Sequence, residues 1–279
     1  MKSGFVTLVG RPNVGKSTLL NAILGYKVSI VSDKPQTTRT EIRGILDGDD
    51  HQVVFVDTPG IHKPRSAAGE RFNATARNAA QDVDVVLFVL DATAPLGRGD
   101  RFVADRLPLD HTLCVVNKTD VASREQVLRQ LHAAGALAMD EYFPVSAKTK
   151  AGLDALVGAI VARLPEGPRY YPLGALTDVP DAFWVAELVR EQLLAVTREE
   201  LPHSIACRVV EWEWPRVRCE ILVERESQKG IVIGKGGEVL KQVGINVREQ
   251  LEEGAYLELI VKVEPDWSRR PESLNRLGL

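Results

Sequence analysis

Two observations predict an α/β fold built on a mostly parallel sheet, followed by a smaller α+β module. Across residues 1–165, apolar runs at 6–9, 53–56, 85–90, 113–116 and 143–145 alternate with helix-like stretches after Lys16, Arg71, Asp100, Ser123 and Gly152. Such alternation is the pattern of parallel strands joined by helical crossovers. The order then changes after Pro165-Glu166-Gly167-Pro168-Arg169-Tyr170-Tyr171-Pro172, a Pro/Gly-rich stretch that breaks the periodicity. The division expected is a first domain over 1–165, a linker over 166–181 and a second domain over 182–279.

One strand of the first domain departs from the parallel pattern. Residues 41–47 and 52–56 are separated only by Gly48-Asp49-Asp50 and a histidine, too short for a crossover, so these strands form an antiparallel hairpin. Beyond the linker the pattern predicts a helix over 182–200, strands over 204–212 and 217–224, a Gly-rich loop between helical segments, and a strand over 256–263. Trp214-Pro215-Arg216 carries the turn of that hairpin, and period-two alternation puts Val217, Cys219, Ile221 and Val223 on one face.

Composition narrows the class. With 279 residues, 44% hydrophobic and 26% charged, the chain is long and apolar enough for two cores. Its longest apolar run, 85–90, is far below the roughly 20 residues of a membrane span. Only residues 5–9 resemble a signal-peptide core, and Arg11 and Pro12 interrupt it, so a cytoplasmic location is expected. Cys114, Cys207 and Cys219 are odd in number and lack metal-ligand spacing, which reads as small buried thiols. The net charge is −3, divided as +1 over residues 1–179 and −4 over 180–279. Neither part attracts nucleic acid by bulk charge, so any such contact depends on a local basic surface.

Gly10-Arg11-Pro12-Asn13-Val14-Gly15-Lys16-Ser17 follows a predicted strand and opens a helix-like run, the context a phosphate-binding loop requires. Its glycines let backbone N–H groups face phosphate oxygens, and the helix N-terminus adds a favourable dipole. In that arrangement Lys16 reaches the β- and γ-phosphates and the Ser17 hydroxyl binds Mg²⁺. Asp57-Thr58-Pro59-Gly60 ends the third strand, where the acid can hold the metal, commonly through water, and the Gly60 N–H can meet the γ-phosphate. Asn117-Lys118-Thr119-Asp120 ends the fifth. The two oxygens of Asp120 match the N1–H and exocyclic amine of guanine, a donor pair that adenine lacks, and an unpaired buried acceptor would cost roughly 1–3 kcal/mol. Ser146-Ala147-Lys148 follows the sixth strand, with the Ala147 N–H expected at the guanine carbonyl. All four clusters fall at carboxyl ends of strands, where open α/β sheets bind ligands.

These four motifs in this order resemble those of translation-factor-class GTPases. With Pro35-Gln36-Thr37-Thr38-Arg39 and the C-terminal half, the chain is similar to the bacterial Era family over essentially its full length. The resemblance implies GTP hydrolysis to GDP and phosphate by a monomer that binds 16S rRNA and acts as a switch in small (30S) ribosomal subunit assembly. It also implies peripheral association with the inner face of the cell membrane. Alternatively, the protein is an RNA chaperone in which GTP is a slow switch and turnover incidental. A nucleotide kinase would share the phosphate loop but have no use for the guanine cluster.

By the same resemblance, a threonine of the 35–39 segment binds Mg²⁺ when GTP is present, and its position favours Thr38 over Thr37. The residue after Gly60 is Ile61, where many GTPases place a glutamine that orients water, so the missing charge must come from elsewhere. Asn13 matches the asparagine with which potassium-activated relatives hold K⁺ beside the phosphates. The nucleotide set is therefore Gly10, Asn13, Val14, Gly15, Lys16, Ser17, Thr18, Asp57, Gly60, Asn117, Lys118, Asp120, Ser146, Ala147 and Lys148. Within it Asn13, Lys16 and Gly60, together with Thr38, are the catalytic candidates, and Ser17, Thr38 and Asp57 the metal ligands. His62 and the remaining histidines have no partner at a recognisable spacing.

In the second half, Gly234-Lys235-Gly236-Gly237 forms a Gly-x-x-Gly loop, and residues 225–241 carry a local net charge of +2. Element order and loop resemble the prokaryotic-type KH domain, in which such a loop clamps about four nucleotides. Lys229, Ile233, Gly234, Lys235, Gly236, Gly237 and Lys241 are the RNA-binding candidates. The segment 247–254 is several residues shorter than the family pattern. Tyr170, Tyr171, Trp212 and Trp214 are read as packing residues.

Overall fold

A computed structural model describes residues 1–60, 70–72, 74–76, 79, 82–197 and 201–279, with Pro202 and His203 described by backbone alone. The chain divides into two compact units, one of Met1–Val31 and Thr38–Asp178, the other of Ser32–Thr37 and Val179–Leu279.

The first unit runs β1 (Lys2–Val9), α1 (Lys16–Leu24), β2 (Ile42–Asp47), β3 (His51–Asp57), β4 (Val85–Asp91), α2 (Arg98–Ala104), β5 (Thr112–Asn117), α3 (Arg124–Gly135), β6 (Glu141–Pro144) and α4 (Leu153–Arg163). The stretch expected as a helix after Arg71 is helical at 70–72, 74–76 and 79, and residues 73, 77–78 and 80–81 lie outside the described residues. Six strands form one sheet in the order β2-β3-β1-β4-β5-β6. Only β2 is antiparallel, with Ile42 opposite Asp57 and Asp47 opposite Gln52. Every residue from Val85 to Leu90 is fully buried, because a central parallel strand is covered on both faces, and this is why its sequence is apolar without alternation. Two boundaries differ from expectation. Helix α2 begins at Arg98, since the Asp100 carboxylate accepts the Gly97 N–H (2.8 Å) and so lies inside the first turn. Strand β6 stops at Pro144, which has no N–H for a ladder.

The stretch expected as a linker over 166–181 is docked on this unit as far as residue 178. The buried Gln52 amide accepts the Tyr170 and Tyr171 N–H groups (2.7 and 2.9 Å) and donates to the Tyr171 carbonyl (3.0 Å). Ile45 N–H donates to the Leu176 carbonyl (2.9 Å) and Gly44 bridges to Thr177, so the segment covers the free edge of β2, whose backbone groups would otherwise be unpaired. The Tyr170 ring lies 4.8 Å from that of Phe5 but half of the residue stays exposed, and the Tyr171 hydroxyl donates to Asp178 (2.7 Å); only Tyr171, half-buried, fits the packing role expected for both.

The second unit holds α5 (Asp181–Val196), β7 (Ala206–Glu213), β8 (Arg216–Val223), α6 (Glu226–Ile233), α7 (Glu238–Arg248), β9 (Tyr256–Val263) and α8 (Pro271–Arg276). Its sheet has the order β7-β8-β9, antiparallel then parallel. Helix α5 ends at Val196, where the Thr197 hydroxyl takes the Leu193 carbonyl (2.7 Å); residues 198–200, expected within it, lie outside the described set. A 3₁₀ turn at Leu201–Ser204 delays β7 by two residues relative to expectation. Val217, Cys219, Ile221 and Val223 are all buried, three of them in a core with Leu188, Val189, Val232, Val243 and Val247.

Cys114 and Cys219 are buried, and burial pushes the Cys114 thiol up to about 12. Among the described residues, no helix is long and apolar enough to cross a membrane.

Replacing Gln52 by Ala strands two N–H groups and a carbonyl of the docked segment. It should destabilise the chain by roughly 1–3 kcal/mol, measured as a lower urea midpoint at unchanged slope.

Candidate nucleotide site and nucleic-acid loop

The loop after β1 is shaped by left-handed backbone at Asn13 (φ 66°) and Gly15 (φ 94°), with Gly15 capping α1. Close approach also demands glycine here: a Cβ at Gly10 would stand 2.5 Å from the Val89 carbonyl, and one at Gly15 2.5 Å from Asn117 Nδ2. Val14 is buried and Thr18 half-buried in the first turn of α1. Arg11 leaves the loop to pair with the buried Asp100 (2.6 Å). Lys16 is buried, its Nζ 3.4 Å from the Gly10 carbonyl and 3.3 Å from that of Arg11. Burial lowers its pKa while the charge of Asp57 opposes the shift. A desolvated ammonium under a ring of backbone N–H groups is a receptor for an anion.

Asp57, fully buried at the end of β3, gathers three hydroxyls on Oδ2: Ser17 (2.7 Å), Ser29 (2.7 Å) and Thr38 (3.2 Å). The Ser17 and Thr38 oxygens are themselves 3.1 Å apart. Asp57 Oδ1 is buried without a hydrogen-bond partner among the described residues, and a buried charge normally spends both oxygens. Two hydroxyls beside an orphaned carboxylate oxygen fit a hard, oxygen-seeking cation such as Mg²⁺. Thr37 is not in this cluster, because its hydroxyl donates to the Lys34 carbonyl (2.7 Å). Gly60 lies against the phosphate loop, where a Cβ would be 3.0 Å from Pro12 N and 3.2 Å from Lys16 Nζ. Ile61, expected in place of a glutamine, lies outside the described residues, as do His62 and Lys63.

Asn117 ties three loops together. Its Nδ2 donates to the Val14 carbonyl (3.1 Å), and its Oδ1 accepts the Ala147 N–H (3.0 Å). The Ala147 N–H, expected at the guanine carbonyl, is therefore engaged by Asn117 here. Lys118, in left-handed backbone, donates to the Asn13 carbonyl (2.7 Å) and to Asp91 (2.6 Å). Burial works against ionisation of Asp91, but hydrogen bonds from Lys118 and Thr93 outweigh it and hold the pKa below the ordinary value. Asp120 is exposed, with one oxygen held by the Ser146 hydroxyl (2.7 Å), and Lys148, two residues after Ser146, is exposed.

In the second unit α6 ends at Ile233 and the chain turns through Gly234 (φ 74°), Gly236 (φ 63°) and Gly237 (φ 83°) before α7. A Cβ at Gly234 would meet Val239 at 2.5 Å, while those at Gly236 and Gly237 would meet nothing within 4 Å. The first glycine is thus needed for packing, the other two for backbone conformation. Lys235, Gly236 and Lys241 are exposed and Lys229 is half-buried. Ile233 packs against the core of the unit and seats the loop rather than lining its surface.

The profile described as a 50S ribosome-binding GTPase matches residues 5–118, and that of the KH domain matches 200–268. GTPase Era of Heliobacterium modesticaldum is 47% identical, covering all of this chain and 97% of the relative; that of Mycobacterium tuberculosis is also 47% identical, covering 99% and 98%. The chain belongs to the Era family of GTPases. Two solved Era structures superpose with a TM-score of 0.95 at 40% identity, covering 100% of this chain and 99% of each. One is an Aquifex aeolicus Era variant bound to GDP·AlF₄⁻, the other Era with MgGDPNP and nucleotides 1506–1542 of 16S ribosomal RNA. As in the rest of the Era family, the fold is a P-loop GTPase domain followed by a KH domain, and the activity is GTP hydrolysis.

Motif reading had not included Ser29, Asn21, Asp91 or Asp100. Asn21 positions Ser29 by accepting the Val28 and Ser29 N–H groups (3.0 and 3.1 Å). Asp91 carried a usable signal, as an acid at the carboxyl end of a strand; Ser29 carried none. For base selection, Asp120→Asn presents one donor in place of an acceptor. GTP affinity should fall at least tenfold and xanthosine triphosphate binding should appear, as read by nucleotide titration.

Proposed function

We propose that this protein is a GTP-driven switch that binds 16S rRNA through its KH loop during assembly of the 30S subunit. One observation carries the nucleotide half: the convergence of Ser17, Thr38 and the orphaned oxygen of Asp57 beside the buried Lys16. In this reading residues 1–165 are the nucleotide domain, 182–279 the RNA-binding domain, and the segment between them connects the two. Ser17, Thr38 and Asp57 hold Mg²⁺, which supplies neutralisation of phosphate charge when bound. Lys16 and the backbone at Gly60 orient the γ-phosphate, and Asn117 and Asp120 select guanine, with Ser146 fixing the Asp120 carboxylate. The solved Era complex with a magnesium-bound GTP analogue supports these assignments. It also supports the small subunit as partner, since it covers the full chain, whereas the 50S description belongs to a profile of residues 5–118 alone.

Local charge supports the RNA half. Lys235 and Lys241 stand exposed around a loop whose open space at Gly236 and Gly237 lets a sugar–phosphate backbone come close. The double variant Lys235→Asp, Gly236→Asp places two carboxylates there: a Cβ at 236 has open space, and the aspartate must hold the left-handed backbone (φ 63°) of Gly236, which Asp tolerates better than most residues. Filter binding to a fragment spanning nucleotides 1506–1542 of 16S rRNA should weaken at least a hundredfold, while phosphate release without RNA stays within about twofold of wild type. Retained RNA affinity would leave the loop as a plain helix–helix turn.

The same reading assigns Asn13 to a K⁺ ion beside the phosphates; its exposure and left-handed backbone in the loop support this. Hydrolysis should be several-fold faster in potassium than in sodium at equal ionic strength. Asn13→Ala should abolish the difference while nucleotide binding persists. The protein acts as a cytoplasmic monomer that can associate peripherally with the membrane.

A further inference from the structure

Three of the four tryptophans line one groove of the second unit, about 410 Å³ in volume. Trp212 and Trp214, at the tip of the β7–β8 hairpin, stack with centroids 6.2 Å apart and planes 29° apart, and are 40% and 45% exposed. This is more surface than the packing role expected for them would leave. Trp184 and Asp181 come from the start of α5, and Leu251 and Glu252 from the turn after α7. Both carboxylates are exposed, and neither makes a side-chain hydrogen bond or ion pair among the described residues.

Among the described residues, no lysine or arginine lines the groove. The basic residues next to it in sequence are committed elsewhere: Arg216 pairs with Glu258 (3.0 Å), and Arg248 donates to the Gly244 carbonyl (3.2 Å). Indole faces attract a cation through the ring quadrupole, and a carboxylate at the rim adds a charge-assisted hydrogen bond. Guanidinium suits both partners better than ammonium, since it stacks flat and bonds in pairs. A stacked nucleobase would bring phosphates toward Asp181 and Glu252, against the charge that nucleic-acid grooves carry.

We propose that this groove binds an arginine-rich segment of a protein partner, with guanidinium groups on Trp212 and Trp214 and their charge met by Asp181 and Glu252. The site is separate from the Gly-x-x-Gly loop and stands whether or not that loop binds RNA.

The test uses the full chain and its own fluorescence, because the fourth tryptophan, Trp267, is only 2% exposed and contributes a constant background. Acetyl-Arg-Arg-Arg-amide should give a saturable change in tryptophan emission, acetyl-Lys-Lys-Lys-amide a weaker one, and the triglutamate peptide none. Trp212→Ala should weaken the arginine peptide by roughly 3- to 30-fold, the range of a cation–π contact. The exposed, nearly isosteric pair Asp181→Asn, Glu252→Gln should weaken it by at least tenfold with circular dichroism and GTP hydrolysis unchanged. That pair keeps the test decisive should the tryptophan variant misfold. No saturable change, an equal response to triglutamate, or unaltered affinity in the carboxamide pair would overturn the proposal. So would a single-stranded RNA oligonucleotide that changes the emission and binds the carboxamide pair more tightly, since the groove would then be a base-stacking platform.

Discussion

The buried carboxylate of Asp57 organises the nucleotide-binding unit. A fully desolvated charge is tolerated only when hydrogen bonds replace its water, and here a single oxygen draws hydroxyls from the start of α1, from Ser29 and from Thr38. Three segments with no contact in sequence are thereby positioned by one acceptor. The second oxygen has no hydrogen-bond partner among the described residues. The carboxylate arrives there because β3 pairs with β1 in a register that sets Asp57 against Leu8, two residues before the phosphate loop.

The same use of register builds the site proposed for the base. Pairing of β4 with β5 sets Asp91 opposite Asn117, so that Lys118 can span from Asp91 to the Asn13 carbonyl while Asn117 reaches Val14. The phosphate loop and the loop of Asn117 and Lys118 are thus one hydrogen-bonded assembly. Glycine at 10 and 15 is the steric condition for this closeness, since β4 and Asn117 occupy the space a side chain would need.

In the second unit, charge is distributed by pairing rather than by composition. Arg208, Arg216, Arg218 and Lys262 are each paired with a glutamate of the same sheet, which removes them from any role in attracting phosphate. Lys235 and Lys241, exposed near the glycine loop, are left as basic surface within a half whose net charge is −4. Opposite character appears at the tryptophan groove, where two carboxylates have no such partners among the described residues. One small domain therefore carries a basic surface and an acidic aromatic one.

Much of this was legible in the sequence, because its determinants are local. Strand–helix alternation follows from which residues are apolar, the hairpin from a connection too short to cross over, and the phosphate and guanine motifs from residue types at fixed spacings. Position singled out Thr38 over Thr37 as the proposed metal ligand, and it is the Thr38 hydroxyl that reaches Asp57. What the tertiary structure alone decided depends on partners distant in the chain. Pro and Gly at 165–172 signalled a break in periodicity but not that residues up to 178 would pair with the edge of β2, since that edge exists only once the sheet has formed. Ser29 has no motif because its role is created by Asn21 and Asp57 folding around it. Likewise Trp212 and Trp214 read as packing by composition, and only the placement of α5 and of the turn after α7 makes them the wall of a groove. Local propensity and spacing act along the chain, whereas burial and hydrogen-bond partnership are properties of neighbours that only the fold supplies.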